Sequence, residues 1–450
     1  MPPPASADEF LDLVRKSRVV DTPRLDAYVA RLAAGTEAVS TPDLAAAMVR
    51  DGLLSTFQAE QIARGKWKRF FIGKYKVLER LGRGGMASVF LCEHKLMRRR
   101  VAVKVLPAAR SHDPASLERF YREARAVAAV DHPNVVRAYD IDQDDHLHFL
   151  VMEYVDGTNL YDLVTRGGPL DPVRAAHYVA GAAAGLQHAH DMGLVHRDIK
   201  PGNVLVERSG VVKILDLGLA LFFHDTDDPS TKDHDAGVLG TADYLAPEQA
   251  RDSHAVDIRA DIYSLGGTLY FLLAGRPPFP DGSVSQKLLL HQTDEPAAVE
   301  AVRPGVPAGL AAVVRKMMAK EPADRYQTPA EVTAALSPWA ATPIAPPTDA
   351  EMPHLSPAAM GSGGPTTGRM VMVGVPRAAP PDQPGLDVWE AVAASAPPPP
   401  PSVRLARPKA AARGRRGWVK VGLIAGGLLV SGLAAGAAAY ALNRPTALRR

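Results

Sequence analysis

The run VHRDIKPGNV at positions 195–204 is the densest group of side chains in the sequence that could do chemistry. Between bounding valines it places a carboxylate, an ammonium and an amide in Asp198, Lys200 and Asn203. The run follows an amphipathic pattern that predicts a helix beginning at Asp171-Pro172, with apolar residues at steps of three and four. From a loop after such a helix, Asp198 could orient a hydroxyl nucleophile.

A second carboxylate, Asp216, stands at the end of the predicted strand KIL and just before a turn glycine, Gly218. Asp216 and the amide of Asn203 supply oxygen ligands, which Mg²⁺ prefers, and this ion keeps phosphate oxygens in its coordination shell. The two residues therefore indicate a site for a magnesium-bound phosphate.

The segment LGRGGMASVF at 81–90 is rich in glycine, which lets backbone amides approach phosphate oxygens. A dinucleotide-binding turn is the alternative, but that motif requires a helix immediately afterwards. The residues from Ser88 to Glu93 have the pattern of a strand instead, so the glycines are predicted to join a hairpin of 75–81 and 88–93.

A lysine lies inside the next apolar strand, VAVKV at 101–105. Because side chains alternate along a strand, Ala102 and Lys104 share one face and the three valines take the other. Such a lysine is usually solvated, but one buried beneath phosphates needs a negative partner. Glu123, on a helix predicted to begin at Asp113-Pro114 and to run to about Val130, is the natural candidate.

The motifs follow one another in a recognisable order: the glycine-rich loop, Lys104, Glu123, Asp198 with Asn203, Asp216 with Gly218, and the APE triplet at 246–248. In this order, residues 75–338 resemble a protein kinase, specifically a bacterial serine/threonine kinase of the eukaryotic (Hanks) type. The resemblance implies an α+β, bilobal fold with a β-rich N-lobe and a helical C-lobe. It also implies transfer of the γ-phosphate of ATP, with Mg²⁺, to serine and threonine hydroxyls of proteins.

The resemblance implies a role for each charged residue. Asp198 would accept or orient the substrate proton, and Lys200 would neutralise the γ-phosphate. Lys104 would hold the α- and β-phosphates and pair with Glu123. The two magnesium ligands would be Asn203 and Asp216.

The resemblance also implies a nucleotide site. Gly82 and Gly84 would lie over the phosphates, and Val89 and Ala102 would touch the adenine. The segment from Met152 to Val155 would be the hinge, with Met152 as its gatekeeper. The residues implied to contact ATP are Leu81, Gly82, Gly84, Val89, Ala102, Lys104, Glu153 and Val155. Two positions depart from the family pattern, since Ala87 replaces the third glycine of the loop and Leu217 replaces the usual phenylalanine after Asp216; neither removes a phosphate ligand.

Regulatory and structural positions match as well. Thr226, Ser230 and Thr231 lie in an acidic stretch and are candidates for autophosphorylation, Thr231 foremost, with Arg197 as a phosphate partner. An unmodified acidic loop is the alternative.

Three further residues are implied by the resemblance to be structural or substrate-facing. Thr241 would bridge to Asp198 and Lys200 in the substrate loop. Glu248 is expected to pair with Arg325, and Asp261 to hold the catalytic loop from a buried helix.

Two other functions remain open alternatives at this point. The first is a catalytically inactive scaffold of the same fold, against which the intact set of charged residues argues. The second is a small-molecule kinase of related fold, which the APE triplet and the Gly240-Thr241 loop disfavour.

The flanks of residues 75–338 have other compositions. Residues 1–74 are predicted to form a small helical region, with caps and Pro at Thr22-Pro23 and Thr41-Pro42. Residues 339–417 are rich in proline and poor in large apolar residues, which predicts a disordered juxtamembrane linker. The start of the chain lacks the pattern of a secretory signal, and the single cysteine, Cys92, excludes an internal disulfide.

Residues 421–442 contain no charged side chain and would span about 30 Å as a helix, which predicts one transmembrane helix. Lys and Arg are dense from 404 to 420 and sparse in the tail 443–450, so we expect the kinase in the cytoplasm, the tail outside it and the protein in the inner membrane. Small residues at four-residue spacing in this span permit helix association, and a homodimer could autophosphorylate in trans. The net charge of only +3 gives no indication of nucleic-acid binding.

Overall fold

The computed structural model of the chain describes residues 2–33, 40–84, 87–106, 114–217, 242–251 and 256–360. Within these residues the predicted bilobal architecture is confirmed, with a β-sheet N-lobe and a helical C-lobe.

Four short helices precede the N-lobe. They are α1 (Ala7–Ser17), α2 (Thr22–Ala33), α3 (Thr41–Arg50) and α4 (Thr56–Ala63). The cap of α3 is Ser40 rather than the predicted Thr41, and its hydroxyl accepts a hydrogen bond from the amide of Asp43. Ser55 caps α4 in a reciprocal capping box with Gln58, which satisfies amides that the first turn leaves without helical partners.

The N-lobe contains a six-stranded antiparallel sheet in the order β1-β2-β3-β4-β6-β5. Its strands are β1 (Phe71–Ile72), β2 (Tyr75–Gly84), β3 (Ala87–His94), β4 (Arg100–Val105), β5 (Ala138–Asp144) and β6 (Leu147–Glu153). Helix α5 (Pro114–Ala128) follows β4. The faces of β4 differ as predicted, because its valines join one apolar cluster and Ala102 joins another on the opposite side.

The N-terminal helices pack on the outer face of this sheet. Phe10, Leu25 and Met48 from the helices belong to the same buried cluster as Val103 and Phe149 from β4 and β6. Burial of large apolar side chains from both sides makes residues 1–74 and the sheet one hydrophobic body.

The C-lobe is built on two long helices, α7 (Pro172–Asp191) and α9 (Ile258–Ala274), with Tyr178, Tyr263 and Tyr270 fully buried around them. Asp171 caps α7 by accepting hydrogen bonds from the amides of Val173 and Arg174, as its Asp-Pro start predicts. The helices are α6 (Leu160–Gly167), α7 (Pro172–Asp191), α8 (Pro247–Arg251), α9 (Ile258–Ala274), α10 (Val284–Thr293), α11 (Val299–Val302), α12 (Ala308–Met317) and α13 (Pro329–Ala340). A small sheet of β7 (Gly157–Asn159), β8 (Val204–Glu207) and β9 (Val212–Ile214) faces the cleft.

Residues 341–360 differ from the sequence-based expectation of a disordered linker beginning at 339. They form an ordered segment, here called the strap, that includes a 3-10 turn (Asp349–Glu351) and a final helix, α14 (Pro357–Met360). Met352 and Ala359 are buried in it. The expectation was wrong for this stretch because its few apolar residues are buried against the two lobes. Composition alone does not predict such burial. The rest of the predicted linker and the predicted span 421–442 lie outside the described residues.

Across the ranges given above, no helix has both the length and the apolar character needed to cross a bilayer.

Candidate active site

The catalytic loop between α7 and β8 holds its polar side chains against one another. Lys200 Nζ lies 3.0 Å and 2.9 Å from the two carboxylate oxygens of Asp198. The side-chain amide of Asn203 donates to the backbone carbonyl of Asp198 at 2.8 Å and to its Oδ2 at 2.9 Å. The Asp198 carboxylate is therefore oriented before any substrate arrives, as positional catalysis requires.

A buried carboxylate fixes the backbone of this loop from below. Asp261, on α9, is fully buried and accepts hydrogen bonds from the amides of His196 at 2.8 Å and Arg197 at 2.7 Å. The imidazole of His190 contacts the same carboxylate at 2.9 Å. The expected role of Asp261 is confirmed, and the charge-assisted bonds explain why a carboxylate is tolerated in the core.

His196 is a structural residue in this loop. Its Nδ1 accepts a hydrogen bond from the amide of Asp198 at 3.2 Å, and its Nε2 lies 2.7 Å from the carbonyl of Leu215. An imidazole that accepts at one nitrogen and donates at the other is fully engaged. It links the catalytic loop to the strand end that carries Asp216.

Two active-site residues adopt a backbone conformation that ordinarily favours glycine. Arg197 has φ +66° and Asp216 has φ +54°. Non-glycine residues pay a conformational cost there, and such positions concentrate at functional sites. The hydrogen bonds to Asp261 hold Arg197 in place, and the amide of Leu215, which donates to the carbonyl of Asn203 at 2.9 Å, ties the strand end to the loop.

Lys104 reaches across the cleft to Asp216. Its Nζ lies 2.7 Å from Asp216 Oδ1, and its side chain is only 9% exposed, whereas that of Asp216 is 35% exposed. Burial alone would raise the pKa of the Asp216 carboxyl, but the ammonium of Lys104 outweighs burial and leaves that pKa below its usual value. An ionised carboxylate thus faces the cleft.

Asn203 and Asp216 fit a magnesium ion by the chemistry of their donors. The amide nitrogen of Asn203 is committed to Asp198, which directs its oxygen elsewhere, and the Asp216 carboxylate is partly exposed. In the part of the chain that the structure describes, no three His, Cys, Asp or Glu side chains are grouped to hold a metal. An ion here would complete its coordination with phosphate oxygens and water, as is usual for Mg²⁺.

Glu123 lies on α5, as the sequence predicts, but its side chain falls outside the described part of the structure. Its pairing with Lys104 stays a prediction. The same holds for Thr226, Ser230, Thr231 and Thr241, all of which lie outside the described residues.

The glycine-rich loop caps the cleft as the end of a hairpin. β2 and β3 pair in antiparallel register from Tyr75 opposite His94 to Gly84 opposite Ala87. Leu81 is exposed, and a Cβ added to Gly82 would meet no atom of the described residues within 4 Å. Within that part of the structure, the backbone at Gly82 therefore has open space that a phosphate could occupy.

An apolar slot lies between the loop and the hinge. Val89, Ala102, Met152 and Val155 belong to one cluster, and Ala102 pairs with Met152 across β4 and β6. Leu205 of β8 packs against the same cluster from the C-lobe side and supplies a floor. Sequence reasoning missed Leu205, although its position two residues after Asn203 was available as a signal.

The hinge residue Glu153 is tied down within the protein. Its amide donates to the carbonyl of Arg137 at 2.8 Å, and its carboxylate lies 3.1 Å from Nζ of Lys213. The amide is thus engaged by a neighbouring segment. Lys213, on β9, is a second residue of the hinge region that sequence reasoning missed.

The expected pair of Glu248 and Arg325 is confirmed in the C-lobe. The two guanidinium nitrogens lie 2.6 Å and 2.8 Å from the two carboxylate oxygens. The remaining donors of Arg325 reach the carbonyls of Arg259, Ala319 and Lys320. This side chain is 0% exposed, so the pair is a permanent part of the scaffold.

Known proteins are similar to this chain in sequence. The pattern of the family described as protein kinase domain matches residues 75–337. The serine/threonine-protein kinase PknB of Mycobacterium tuberculosis is 43% identical over 267 residues, which is 58% of this chain and 42% of that protein. The serine/threonine-protein kinase PrkC of Bacillus subtilis is 38% identical over 262 residues, 58% of this chain and 40% of that protein.

A crystal structure of the PknI kinase domain of M. tuberculosis aligns with 60% of this chain and 97% of its own, at 29% identity and a TM-score of 0.47. The chain spans about two fifths of the length of the curated relatives it matches. The family pattern covers more than half of the sequence, and its match begins at the strand that leads into the glycine-rich loop. The chain therefore belongs to the protein kinase domain family.

Proposed function

We propose that this protein is an active serine/threonine protein kinase that transfers the γ-phosphoryl group of magnesium-bound ATP to protein hydroxyls. One observation carries the proposal: Lys104 and Asp216 meet at 2.7 Å across the cleft from a catalytic loop in which Asp198, Lys200 and Asn203 are already mutually bonded. A cation, a phosphate-facing carboxylate and an oriented base are the parts that phosphoryl transfer needs. The names of the relatives support serine and threonine as the accepting residues.

The catalytic loop supplies orientation and charge. Asp198, held by Asn203, would accept a hydrogen bond from the incoming hydroxyl and take its proton as the new P–O bond forms and the bond between the γ-phosphorus and the oxygen of the departing ADP breaks. Lys200, which lies beside Asp198, would neutralise charge on the transferring phosphoryl group. Lys104 would hold the α- and β-phosphates. Because its side chain is nearly buried, water screens the attraction between its ammonium and these phosphates only weakly.

A magnesium ion held by Asn203 and Asp216 would neutralise charge on the β- and γ-phosphate oxygens. The partly exposed carboxylate of Asp216 is the side of the Lys104 pair that can turn to such an ion. The apolar slot lined by Val89, Ala102 and Leu205 would receive the adenine ring.

Labelled ATP tests this proposal directly. The full chain with magnesium is expected to incorporate labelled phosphate into itself or into a generic basic protein, and Asp198→Asn is expected to abolish incorporation while its thermal unfolding stays like that of the parent. A parent chain that binds nucleotide without transferring phosphate would instead identify an inactive scaffold.

We also propose autophosphorylation in the segment that contains Thr226, Ser230 and Thr231, with Thr231 as the leading site. Negative phosphate would complement Arg197, whose backbone is anchored beside Asp198 by Asp261. Phosphopeptide mapping of active enzyme is the test, and an unmodified segment would end the idea. Comparison of the parent with Asp198→Asn separates self-modification from modification by other kinases.

Membrane tethering by residues 421–442 is proposed from the uncharged length of this segment and its basic flank. In sealed cells, external protease is expected to leave the kinase intact, whereas digestion from outside would reverse the orientation. The small-residue spacing in this segment supports a homodimer for autophosphorylation in trans. Cross-linking of the detergent-solubilised protein tests this, and recovery of monomers only would contradict a homodimer.

A further inference from the structure

The strap begins its path on the C-lobe. Glu351 binds Arg174 of α7 through two contacts, at 2.6 Å and 3.2 Å, and accepts further hydrogen bonds from the amide and hydroxyl of Thr348. Arg174 is held in turn by the hydroxyl of Tyr178 at 2.9 Å. Both charged side chains are mostly buried, so this is an oriented, bidentate anchor rather than a loose surface pair.

The middle of the strap passes behind the hinge. Arg208 contacts Asp156 at 2.8 Å, Asp349 at 3.1 Å and the carbonyl of Pro353 at 3.3 Å. Asp156 follows the hinge directly, and the neighbouring Tyr154 packs in one cluster with Leu355 of the strap. The strap and the hinge therefore share partners.

The end of the strap inserts into the N-lobe. Ala359 is 0% exposed and lies in a cluster with Leu78 of β2 and Leu91 of β3. The hydroxyl of Ser356 donates to Glu79 at 2.9 Å. Glu79 also accepts the first amides of α4, so it joins the strap, the sheet and the N-terminal helices at one point.

The N-lobe contact falls on the strand that carries the glycine-rich loop. Pairing of β2 with β3 is shifted between Val77 and Glu79, which sets Leu78 apart as a bulge. Leu81 and Gly82 follow within a few residues. A segment that grips Leu78 and Glu79 thus acts on the base of the loop that would cover the phosphates.

We propose that the strap is a positioning element of the nucleotide cleft, which fixes the glycine-rich loop and Lys104 above the catalytic loop. This rests on the proposed function, since it assigns the cleft to nucleotide. The hinge links the two lobes covalently. The strap adds non-covalent contacts with both lobes along the same side. Opening of the lobes would pull Ala359 from its socket, so the attached strap favours the closed arrangement that binds nucleotide.

The test uses two adjacent substitutions in the full chain. Ala359→Asp places a carboxylate in the buried socket, which an unpaired charge cannot occupy, and so detaches the strap from the N-lobe. Met360→Asp adds the same charge one residue later, where the side chain is 51% exposed. Calorimetry with magnesium and ADP measures affinity, and steady-state assays separate KM for ATP from kcat.

Ala359→Asp is expected to weaken ADP binding and raise KM for ATP by about tenfold, because fewer molecules are in the binding-competent state. Its kcat at saturating ATP is expected to stay within about twofold of the parent, since the catalytic loop is untouched. Met360→Asp is expected to match the parent in all three quantities. A purely stabilising strap would lower the melting temperature of Ala359→Asp but leave KM unchanged, and that result would overturn the proposal.

A second variant guards against misfolding of the first. The pair Glu351→Gln and Ser356→Ala removes one polar contact at each end of the strap without placing a charge in the core, and a smaller increase in KM for ATP of about threefold is expected. Unchanged affinity in this double variant would overturn the proposed role of the strap but not the assignment of the cleft to nucleotide. A parent chain that binds no ADP would overturn the nucleotide assignment as well, so the two failures are distinguishable.

Discussion

The Glu248–Arg325 pair and the Lys104–Asp216 pair are both short contacts between a carboxylate and a cation, and they differ in their surroundings. Arg325 is fully buried, and its donors reach both oxygens of Glu248 and three backbone carbonyls. Lys104 meets one oxygen of Asp216, and that carboxylate is 35% exposed to the cleft.

The difference separates scaffold from working parts. A buried pair whose donors are satisfied has no better arrangement to adopt, so it holds the C-lobe in one shape. A pair that meets through one oxygen at the edge of a cleft can exchange its partner for a phosphate or a metal ion. A carboxylate and a cation therefore serve different purposes in the two pairs, because the pairs differ in burial and in the number of donors on the cation.

The largest expected effect comes from Lys104→Met. Phosphate transfer is expected to fall by about 10³-fold or more, because the buried cation that would hold the α- and β-phosphates of ATP is lost. Thermal unfolding should change little, since methionine has a similar length and the Asp216 carboxylate can take up water. Activity assays alongside calorimetric unfolding check both parts, and turnover like that of the parent would contradict the assignment.

The matched substitution in the other pair is Arg325→Met, for which the expectation reverses. Removing one partner of a buried pair leaves Glu248 without its cation, at a cost of about 3–5 kcal/mol in the free energy of unfolding. Urea unfolding of the parent and the variant measures this. Loss of activity with an unchanged unfolding midpoint would show that Arg325 acts in catalysis and that the contrast between the pairs is wrong.

A smaller effect is expected at the apolar floor of the cleft. Leu205→Ala removes contact area beneath the adenine without touching a charge, so KM for ATP is expected to rise about tenfold while kcat stays near the parent value. Val206→Ala provides a control on the same strand, because Val206 is buried in the C-lobe core instead. Equal kinetic effects in the two variants would remove Leu205 from the nucleotide site.

The smallest effect concerns a third pair, Arg174 with Glu351 in the strap. The hydrogen bond from Arg174 lowers the pKa of Glu351 to about 2 from its ordinary value of 4.5. Because the pKa of Glu351 is lower in the folded state, its ionised carboxylate stabilises the fold at pH values above the pKa of the unfolded state. This contribution is lost as the pH falls from the unfolded-state pKa towards 2. The difference in melting temperature between the parent and Glu351→Gln is therefore expected to shrink between pH 6 and pH 3, and a constant difference would mean that the pair carries no net charge effect.

Local motifs made much of the site predictable from the sequence. Asp198, Lys200 and Asn203 lie so close in the chain that one loop must bring them together, and the strand pattern alone put Ala102 and Lys104 on one face. The contacts of Asp261 with the catalytic loop and of Arg325 with Glu248 join distant parts of the chain. Resemblance to the family predicts these contacts, whereas residue spacing alone does not.

Other features have no local signature. The contact of Lys104 with Asp216 joins residues 112 positions apart and could not be inferred from their spacing. The pairing of Lys104 with Glu123 stays a prediction. The sequence predicts disorder for the strap because the stretch that contains it is rich in proline and poor in large apolar residues. Its stability comes from single contacts such as Glu351 with Arg174, 177 positions away, which no window of sequence contains.

The N-terminal helices, finally, bear on how this enzyme can be produced. Sequence likeness to other kinases begins at residue 75 and stops at 337, yet Phe10 and Leu25 close one apolar face of the sheet and Ala359 closes another. A fragment trimmed to the limits of that likeness would expose both faces to solvent and invite aggregation. The limits of the family match and those of the folded body do not coincide here, so an expression fragment is better made with the N-terminal helices and the strap included.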